Sequence, residues 1–166
     1  MNCCKFLFQK KYNVPTKILL NGINILFLSK RNSCRSQMAE AILKSYNSDL
    51  EIYSAGLDPA DHVSPIAIEV IAETGINLEP GVPRNYSEFM KMQFDYLITV
   101  GEGTTEELKL PEINYKRKLH LGFKSPYKGA KSQQEIKDRC RAVCDELRLE
   151  LDYFYHNILK KVYNVR

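Results

Sequence analysis

Four short segments of the chain have the apolar patterns expected of strands. They lie at residues 23–28, 51–56, 95–100 and 118–123. The first is a nearly continuous run of Ile, Leu and Phe, which is typical of a strand covered on both faces. The pattern therefore favours a parallel sheet.

Helically spaced apolar residues follow several of these strands. The first helix is predicted to begin near Arg35. The second begins at Ser64, a good N-cap, with Pro65 in its first turn and Gly75 after its end. A shorter helix is predicted at 87–91. The apolar faces of the first two helices contain Met38, Ile42, Leu43, Ile68, Ile71 and Ala72.

The last helix has the clearest periodicity. Its apolar residues recur every three or four positions and form a stripe that should face the core. The stripe consists of Ile136, Cys140, Val143, Leu147, Leu151, Phe154 and Ile158. Strands that alternate with helices predict an α/β fold, in which helices cover both faces of a parallel sheet.

Length and composition indicate a single globular domain. The chain has 166 residues, of which 44% are hydrophobic and 27% charged. No apolar run approaches the ~20 residues that a membrane helix needs. The start of the chain does not resemble a secretory signal, so we predict a cytoplasmic protein whose five cysteines are reduced.

The charge of the chain is unevenly distributed. Residues 1–39 carry seven basic side chains and no acidic one, whereas the remainder has 17 basic and 20 acidic residues. We divide the chain into a basic N-terminal extension at 1–22 and a domain at 23–166. The extension is interpreted as a flexible arm, as an extra edge strand at 16–20 or as the product of an upstream start codon. It could attract an acidic or phosphorylated protein, but no motif predicts nucleic-acid binding.

The junction between the first strand and the first helix is suited to an oxyanion. A helix N-terminus presents N–H groups and positive dipole charge, and the Arg35 guanidinium adds a planar fork of donors. Phosphate, sulfate or arsenate is the expected ligand, and no metal or cofactor is predicted. The predicted oxyanion-binding residues are Ser29, Lys30, Arg31, Asn32, Ser33, Cys34, Arg35 and Ser36.

Residues 32–40, Asn-Ser-Cys-Arg-Ser-Gln-Met-Ala-Glu, resemble the signature loop of low-molecular-weight protein tyrosine phosphatases. The Ser-Gln form resembles the thioredoxin-coupled arsenate reductases of that superfamily. The resemblance covers about residues 23–160 and implies a three-layer αβα sandwich with a four-stranded parallel sheet. It also implies that Ser29 and Arg35 occupy the catalytic positions. In the family the first of these is a cysteine, and a glycine stands where this chain has Arg31.

Other positions also depart from the family pattern. The arsenate reductases carry two resolving cysteines after the third strand, where this chain has Gly101 and Leu110. The family's general acid is an aspartate just before a proline, where this chain has Lys124 and Ser125. A lysine with an ordinary pKa donates a proton only weakly at neutral pH. These departures predict impaired catalysis. Arg35 and the loop amides are predicted either to retain oxyanion binding or to be relics that internal hydrogen bonds hold in place.

The other thiols and Arg31 allow more than one interpretation. Cys34 is predicted to be a packed thiol, with a displaced nucleophile as the alternative. Cys140 and Cys144 are predicted to pack in the core, although their spacing could also suit a metal. The Arg31 side chain could add charge, obstruct the backbone angle that glycine allows, or fill the pocket.

Three functional hypotheses remain. In the first, which we favour, the protein binds an oxyanion or a phosphorylated partner without turnover. In the second, Ser29 or Cys34 is the nucleophile of an active phosphatase or reductase-like enzyme. A serine would then need a base such as His62 or His120. In the third, the basic extension is an interaction module that the domain carries.

Overall fold

A computed structural model describes residues 22–78, 82–103 and 110–163. Within these ranges the strands are β1 (Asn24–Ser29), β2 (Glu51–Gly56), β3 (Gln93–Gly101) and β4 (Asn114–Gly122). They form one sheet in the order β2-β1-β3-β4, and all neighbouring strands are parallel. Nearly all of the predicted extension, including the possible edge strand at 16–20, lies outside the described residues.

The helices follow local signals in the sequence. The N-cap of the second helix is Ser64, whose side chain accepts a hydrogen bond from the Ala67 amide, and Ser132 caps the last long helix in the same way. The helical elements are α1 (Arg35–Tyr46), α2 (Pro65–Glu73), a 3-10 helix (Tyr86–Phe89), α3 (Gln133–Tyr153), a π-helical segment (Phe154–Leu159) and α4 (Lys160–Tyr163).

The sheet buries apolar side chains on both faces. In β1, Ile25 and Phe27 belong to a larger cluster that includes residues of α1, α2 and α3. Leu26 and Leu28 point to the opposite face, where a smaller cluster includes Phe89 of the 3-10 helix. This arrangement confirms the predicted α/β fold with a four-stranded parallel sheet and is consistent with a three-layer sandwich. No described helix is long and apolar enough to cross a membrane.

The bounds of β1 and β3 differ from the prediction by one or two residues, and three other elements differ more clearly. β4 begins at Asn114, well before the predicted residue 118. The prediction missed this start because the first three residues of the strand are exposed and lack an apolar pattern. The short helix is a 3-10 helix that begins one residue early, after a capping box between Asn85 and Glu88. The last helix changes to π geometry at Phe154, although the predicted stripe remains buried from Cys140 to Ile158.

Candidate oxyanion site

The candidate site is the loop at residues 30–34, which joins the end of β1 to the start of α1. Because all four strands are parallel, the segments that follow them lie at one edge of the sheet. Ligands of open α/β sheets bind outside this carboxyl edge. The loop therefore occupies the place where this fold accommodates a ligand.

The carbonyl groups of the loop are held by the segment that follows β2. The carbonyl oxygens of Ser29, Lys30 and Arg31 accept hydrogen bonds of 2.8–3.0 Å from the amides of residues 57, 58 and 60. The Ser33 carbonyl accepts one of 2.7 Å from the Ser64 amide. In a trans peptide the next N–H points away from the carbonyl. The N–H groups of residues 30, 31, 32 and 34 are thus directed away from the 57–64 segment.

These N–H groups form the concave side of the loop. The Asn32 amide donates to Ser29 Oγ at 3.0 Å, which places the Ser29 hydroxyl on that side. Within the described parts of the chain, the amides of Lys30, Arg31 and Cys34 have no hydrogen-bond partner. Clustered amides of this kind, next to a helix N-terminus, suit an anion.

Asn32 determines the backbone course of the loop. Its φ is 48°, and it is the only non-glycine residue with positive φ among the described residues. Asparagine tolerates this left-handed region better than most residues do. The interpretation that the Arg31 side chain obstructs a glycine-like backbone angle is wrong, because the left-handed residue of the loop is Asn32 and not Arg31.

A partly buried ring of hydrogen bonds fixes the Asn32 side chain. Its Nδ2 donates to Ser54 Oγ at 2.8 Å, and Ser54 Oγ donates to Glu40 at 2.5 Å. The Arg84 guanidinium donates to both oxygens of Glu40, and the Arg84 backbone amide returns to Asn32 Oδ1 at 2.9 Å. Glu40 also accepts from Lys44 at 2.6 Å. The ring joins α1, β2 and the residues before the 3-10 helix to the loop.

Ser29, for which the resemblance predicts the catalytic position, is the last residue of β1. It is 6% exposed, and its Oγ lies 2.8 Å from Ser36 Oγ. Ser36 Oγ also accepts from Asn32 Nδ2 at 3.0 Å. Among the described residues, no imidazole or carboxylate is hydrogen-bonded to the Ser29 hydroxyl. The contacts of Ser29 therefore orient the hydroxyl without providing a base.

Arg35, at the first position of α1, extends to the segment after β4. Its NH1 donates to the Phe123 carbonyl at 2.6 Å. Burial lowers the pKa of Arg35 from its ordinary value, while the negative charge of Glu102 acts in the opposite direction. Arginine remains cationic in such surroundings. Among the described residues, the bond to the Phe123 carbonyl is the one hydrogen bond of the Arg35 guanidinium, so its other N–H groups could donate to a ligand.

Ser125, at one of the two positions where the family has its general acid, contacts a carboxylate of another segment. The Ser125 amide donates to Glu102 at 3.0 Å, and this bond lowers the pKa of Glu102 from its ordinary value. Lys128 forms a 3.4 Å ion pair with the same carboxylate. Glu102 therefore holds the segment after β4 as an ionised group, and a lowered pKa makes it a poor proton donor.

The structure separates several other predicted residues from the concave side of the loop. The Arg31 side chain is 52% exposed and pairs with Asp58 at 2.5 Å, so only its backbone amide belongs to the loop. Both His120 nitrogens are engaged, Nδ1 with Thr99 Oγ1 and Nε2 with the Gly103 carbonyl. His62 lines a cleft to which Arg31 and Ser33 of the loop also contribute. Neither histidine is hydrogen-bonded to Ser29.

Cys34 is buried, as predicted, and contacts a second thiol. Its Sγ lies 3.9 Å from Cys140 Sγ of α3. The hydrogen bond with Cys140, together with burial, raises the pKa of Cys34 well above its ordinary value. A protonated thiol is a weak nucleophile.

Sequence reasoning missed Glu40, Ser54, Arg84 and Glu102 as members or neighbours of the site. Glu40 lies within the segment on which the resemblance was based, and this was the one signal available for it, because its burial is visible only in the structure. The other three are brought to the loop by tertiary packing. Nothing in their local sequence distinguishes them from ordinary polar residues.

The parallel sheet, with a loop of inward amides between its central strand β1 and the first helix, defines a class of α/β proteins whose loop is suited to an oxyanion. Within that class, the chain belongs to the low molecular weight phosphotyrosine protein phosphatase family, whose family model matches residues 24–164. This match confirms the family resemblance that the sequence indicated.

Individual relatives support the same placement. The chain is 32% identical to an arsenate reductase of Shouchella clausii over 131 residues, which are 78% of this chain and 93% of that protein. A solved protein tyrosine phosphatase superposes with a TM-score of 0.65 at 23% identity, over 85% of this chain and 97% of that one. An arsenate reductase in the phosphate binding state gives a TM-score of 0.63 at 23% identity, over 85% and 99%. The two structures show the shared fold.

Proposed function

We propose that this protein is an oxyanion-binding member of its family in which the cysteine chemistry is impaired. The observation that carries the proposal is the intact loop around Ser29. Its carbonyls are held outward, its amides face inward, and the Ser29 hydroxyl lies on the inner side, where the family resemblance predicts a cysteine. A serine hydroxyl gains no ionisation from a helix N-terminus comparable to that of a thiol.

Phosphate, arsenate and sulfate are the proposed ligands. The solved arsenate reductase in the phosphate binding state supports this choice, because it has the same fold. In our chain the inward amides and the Arg35 guanidinium would donate to the tetrahedral oxygens. A phosphorylated partner would present the same group, and the contribution of residues 1–22 remains a prediction.

Titration of phosphate, sulfate and arsenate, followed by melting temperature and calorimetry, tests binding. A ligand that binds only the native state raises the melting temperature once its concentration exceeds the Kd. Arg35→Ala should weaken phosphate binding about 10- to 100-fold, because it removes charge-assisted hydrogen bonds. Arg31→Ala is the matched control. It removes an equal charge from an exposed pair with Asp58 and should change the Kd only about twofold.

Assays of aryl phosphate hydrolysis and thioredoxin-coupled arsenate reduction test the impairment. We expect the native chain to turn over aryl phosphate and arsenate no faster than the Arg35→Ala variant does. Turnover by the native protein that Arg35→Ala abolishes and Arg31→Ala preserves would instead establish an active enzyme. Equal phosphate affinity in the native chain and Arg35→Ala would show that the loop is not the binding site.

A further inference from the structure

Two buried thiols meet directly behind the oxyanion loop. Cys34 is the last loop residue before α1, and Cys140 lies in α3, 106 positions later. Their exposed fractions are 6% and 0%, and their sulfur atoms are 3.9 Å apart. We propose that this pair is a redox modification site, at which a peroxide forms an intramolecular disulfide that ties the loop to α3.

The separation of the two sulfur atoms is compatible with this bond. A disulfide has an S–S length of about 2.05 Å, so the sulfur atoms must approach by roughly 2 Å. Rotation about the side-chain bonds and a small loop shift can supply this movement. Cys144, one helical turn beyond Cys140, is buried in the same helix but has no hydrogen bond with Cys34 among the contacts of the described residues. The proposed bond is therefore specific to one of the two α3 thiols.

The electronic environment favours ionisation of one member of the pair. The Cys34 hydrogen bond lowers the pKa of Cys140, whereas the reciprocal bond and burial raise the pKa of Cys34. Burial of Cys140 opposes this lowering in part. Arg35, which adjoins Cys34, also lowers the pKa of Cys140.

The reaction needs only hydrogen peroxide as oxidant. The thiolate attacks one peroxide oxygen, the O–O bond breaks, and the departing hydroxide takes a proton to become water. The second thiol then attacks the sulfenic acid sulfur. The S–S bond forms, the S–O bond breaks, and the hydroxyl leaves as water with the proton of that thiol. Two thiols thus lose two electrons and two protons, and one peroxide becomes two waters.

The disulfide should alter the loop, because Cys34 lies between two functional groups. The Ser33 carbonyl before it is held by Ser64, and the Arg35 guanidinium follows it. A shift of Cys34 toward α3 displaces its own amide and the start of α1. Phosphate affinity should then fall about tenfold, equivalent to the loss of one charge-assisted hydrogen bond. This consequence rests on the proposed function, whereas formation of the disulfide does not.

The test treats the reduced full chain with hydrogen peroxide and alkylates the remaining thiols. Peptides are then mapped by mass spectrometry without reduction. We expect a peptide pair linked through Cys34 and Cys140, which dithiothreitol separates. Cys34→Ala and Cys140→Ala should each abolish it, and Cys144→Ala should retain it. A link between another pair of cysteines, or oxidation that yields only unlinked sulfinic and sulfonic acids, would overturn the proposal.

Phosphate titration of the same samples tests the effect on the loop. We expect the oxidised native chain to bind phosphate about tenfold more weakly than the reduced chain. Treated Cys140→Ala should keep the affinity of its untreated form. Unchanged affinity after complete cross-linking would refute the coupling. Failure of the reduced chain to bind phosphate would count against the proposed function alone, since peptide mapping still decides the disulfide.

Discussion

The side chain of residue 29 affects the reactivity of the loop but not its backbone geometry. The Ser29 hydroxyl accepts from the Asn32 amide and contacts Ser36, and these contacts place it at the inner surface of the loop. The hydrogen bonds that hold the loop carbonyls outward are formed by backbone groups, so they do not depend on the side chain at residue 29. A thiol at this position would therefore enter a loop that is already formed.

Ser29→Cys should yield a reactive thiolate. The inward amides, the helix N-terminus and Arg35 should hold the pKa of the introduced thiol below its ordinary value of about 8.5. The measurement is the pH dependence of its alkylation by iodoacetamide, followed for that peptide alone. We expect phosphate to protect the thiol. Ser45→Cys, near the opposite end of α1, should react with an ordinary pH profile, and identical profiles for the two variants would disprove the prediction.

Asn32 contributes through its backbone angle and through its side chain, and two substitutions distinguish these contributions. Asn32→Gly preserves access to φ 48° but loses the ring of hydrogen bonds, whereas Asn32→Ala loses both. We expect both variants to lower the free energy of unfolding. Alanine should cost about 1–2 kcal/mol more than glycine, which is the cost of a left-handed conformation. Chemical denaturation measures the difference, and equal stability would mean that the loop relaxes.

At the scale of secondary-structure elements, β2 and the loop approach each other very closely. A Cβ added at Gly56 would lie 3.1 Å from the Lys30 carbonyl oxygen, the Arg31 carbonyl carbon and Asn32 Cβ. Two of these three atoms belong to the backbone and cannot rotate away. The last residue of β2 therefore sets the distance between the sheet and the oxyanion loop.

Gly56→Ala should destabilise the protein by about 1–3 kcal/mol and weaken phosphate binding, because the loop backbone has to shift. Denaturation and phosphate titration measure the two effects. Gly122→Ala, at the end of β4, is the control, because its added Cβ would meet ordinary contacts at 3.6 Å. If Gly56→Ala behaves like Gly122→Ala, the close approach has no energetic role.

An ion-pair cluster also connects two elements, at the outer surface of α2 and α3. Arg141 donates to both oxygens of Glu73 at 2.7 and 2.8 Å, and Lys137 contacts Glu69 as well as Glu73. The hydrogen bonds with Arg141 lower the pKa of Glu73 to about 2. Because the groups are exposed, we expect the effect on stability to be small and sensitive to salt.

The free energy of unfolding of the whole molecule should depend on pH because of this ion-pair cluster. A carboxyl group whose pKa is lower in the folded state stabilises that state above its unfolded pKa of about 4.3, and this contribution disappears as the pH falls to about 2. Glu73→Gln should therefore melt below the native chain at pH 6, and the difference should shrink between pH 4 and pH 2. Melting curves at low salt test this, with Asp145→Asn of α3 as control. A difference that is constant with pH would contradict the assignment.

Across the whole molecule, the periodicity of apolar residues predicted the elements whose burial leaves a local pattern in the sequence. It identified the four strands, α1, α2 and the stripe from Cys140 to Ile158, because burial imposes spacing on neighbouring residues. It could not identify the Arg84 contact with Asn32 or the Cys34 contact with Cys140. These join positions 52 and 106 residues apart, and only packing brings them together. The exposed start of β4 was missed because it lacks an apolar pattern.

The ring of hydrogen bonds around Asn32 also determines at which stage of folding the oxyanion loop can form. The loop and α1 are local, but the groups that hold Asn32 come from β2 and from Arg84. A chain that has formed only β1 and α1 lacks these supports, and contacts of such long sequence separation form late. Phosphate should therefore recognise the assembled domain and not its early intermediates. The binding of such a ligand would therefore report that the segment from Asn32 to Arg84 has reached its final arrangement.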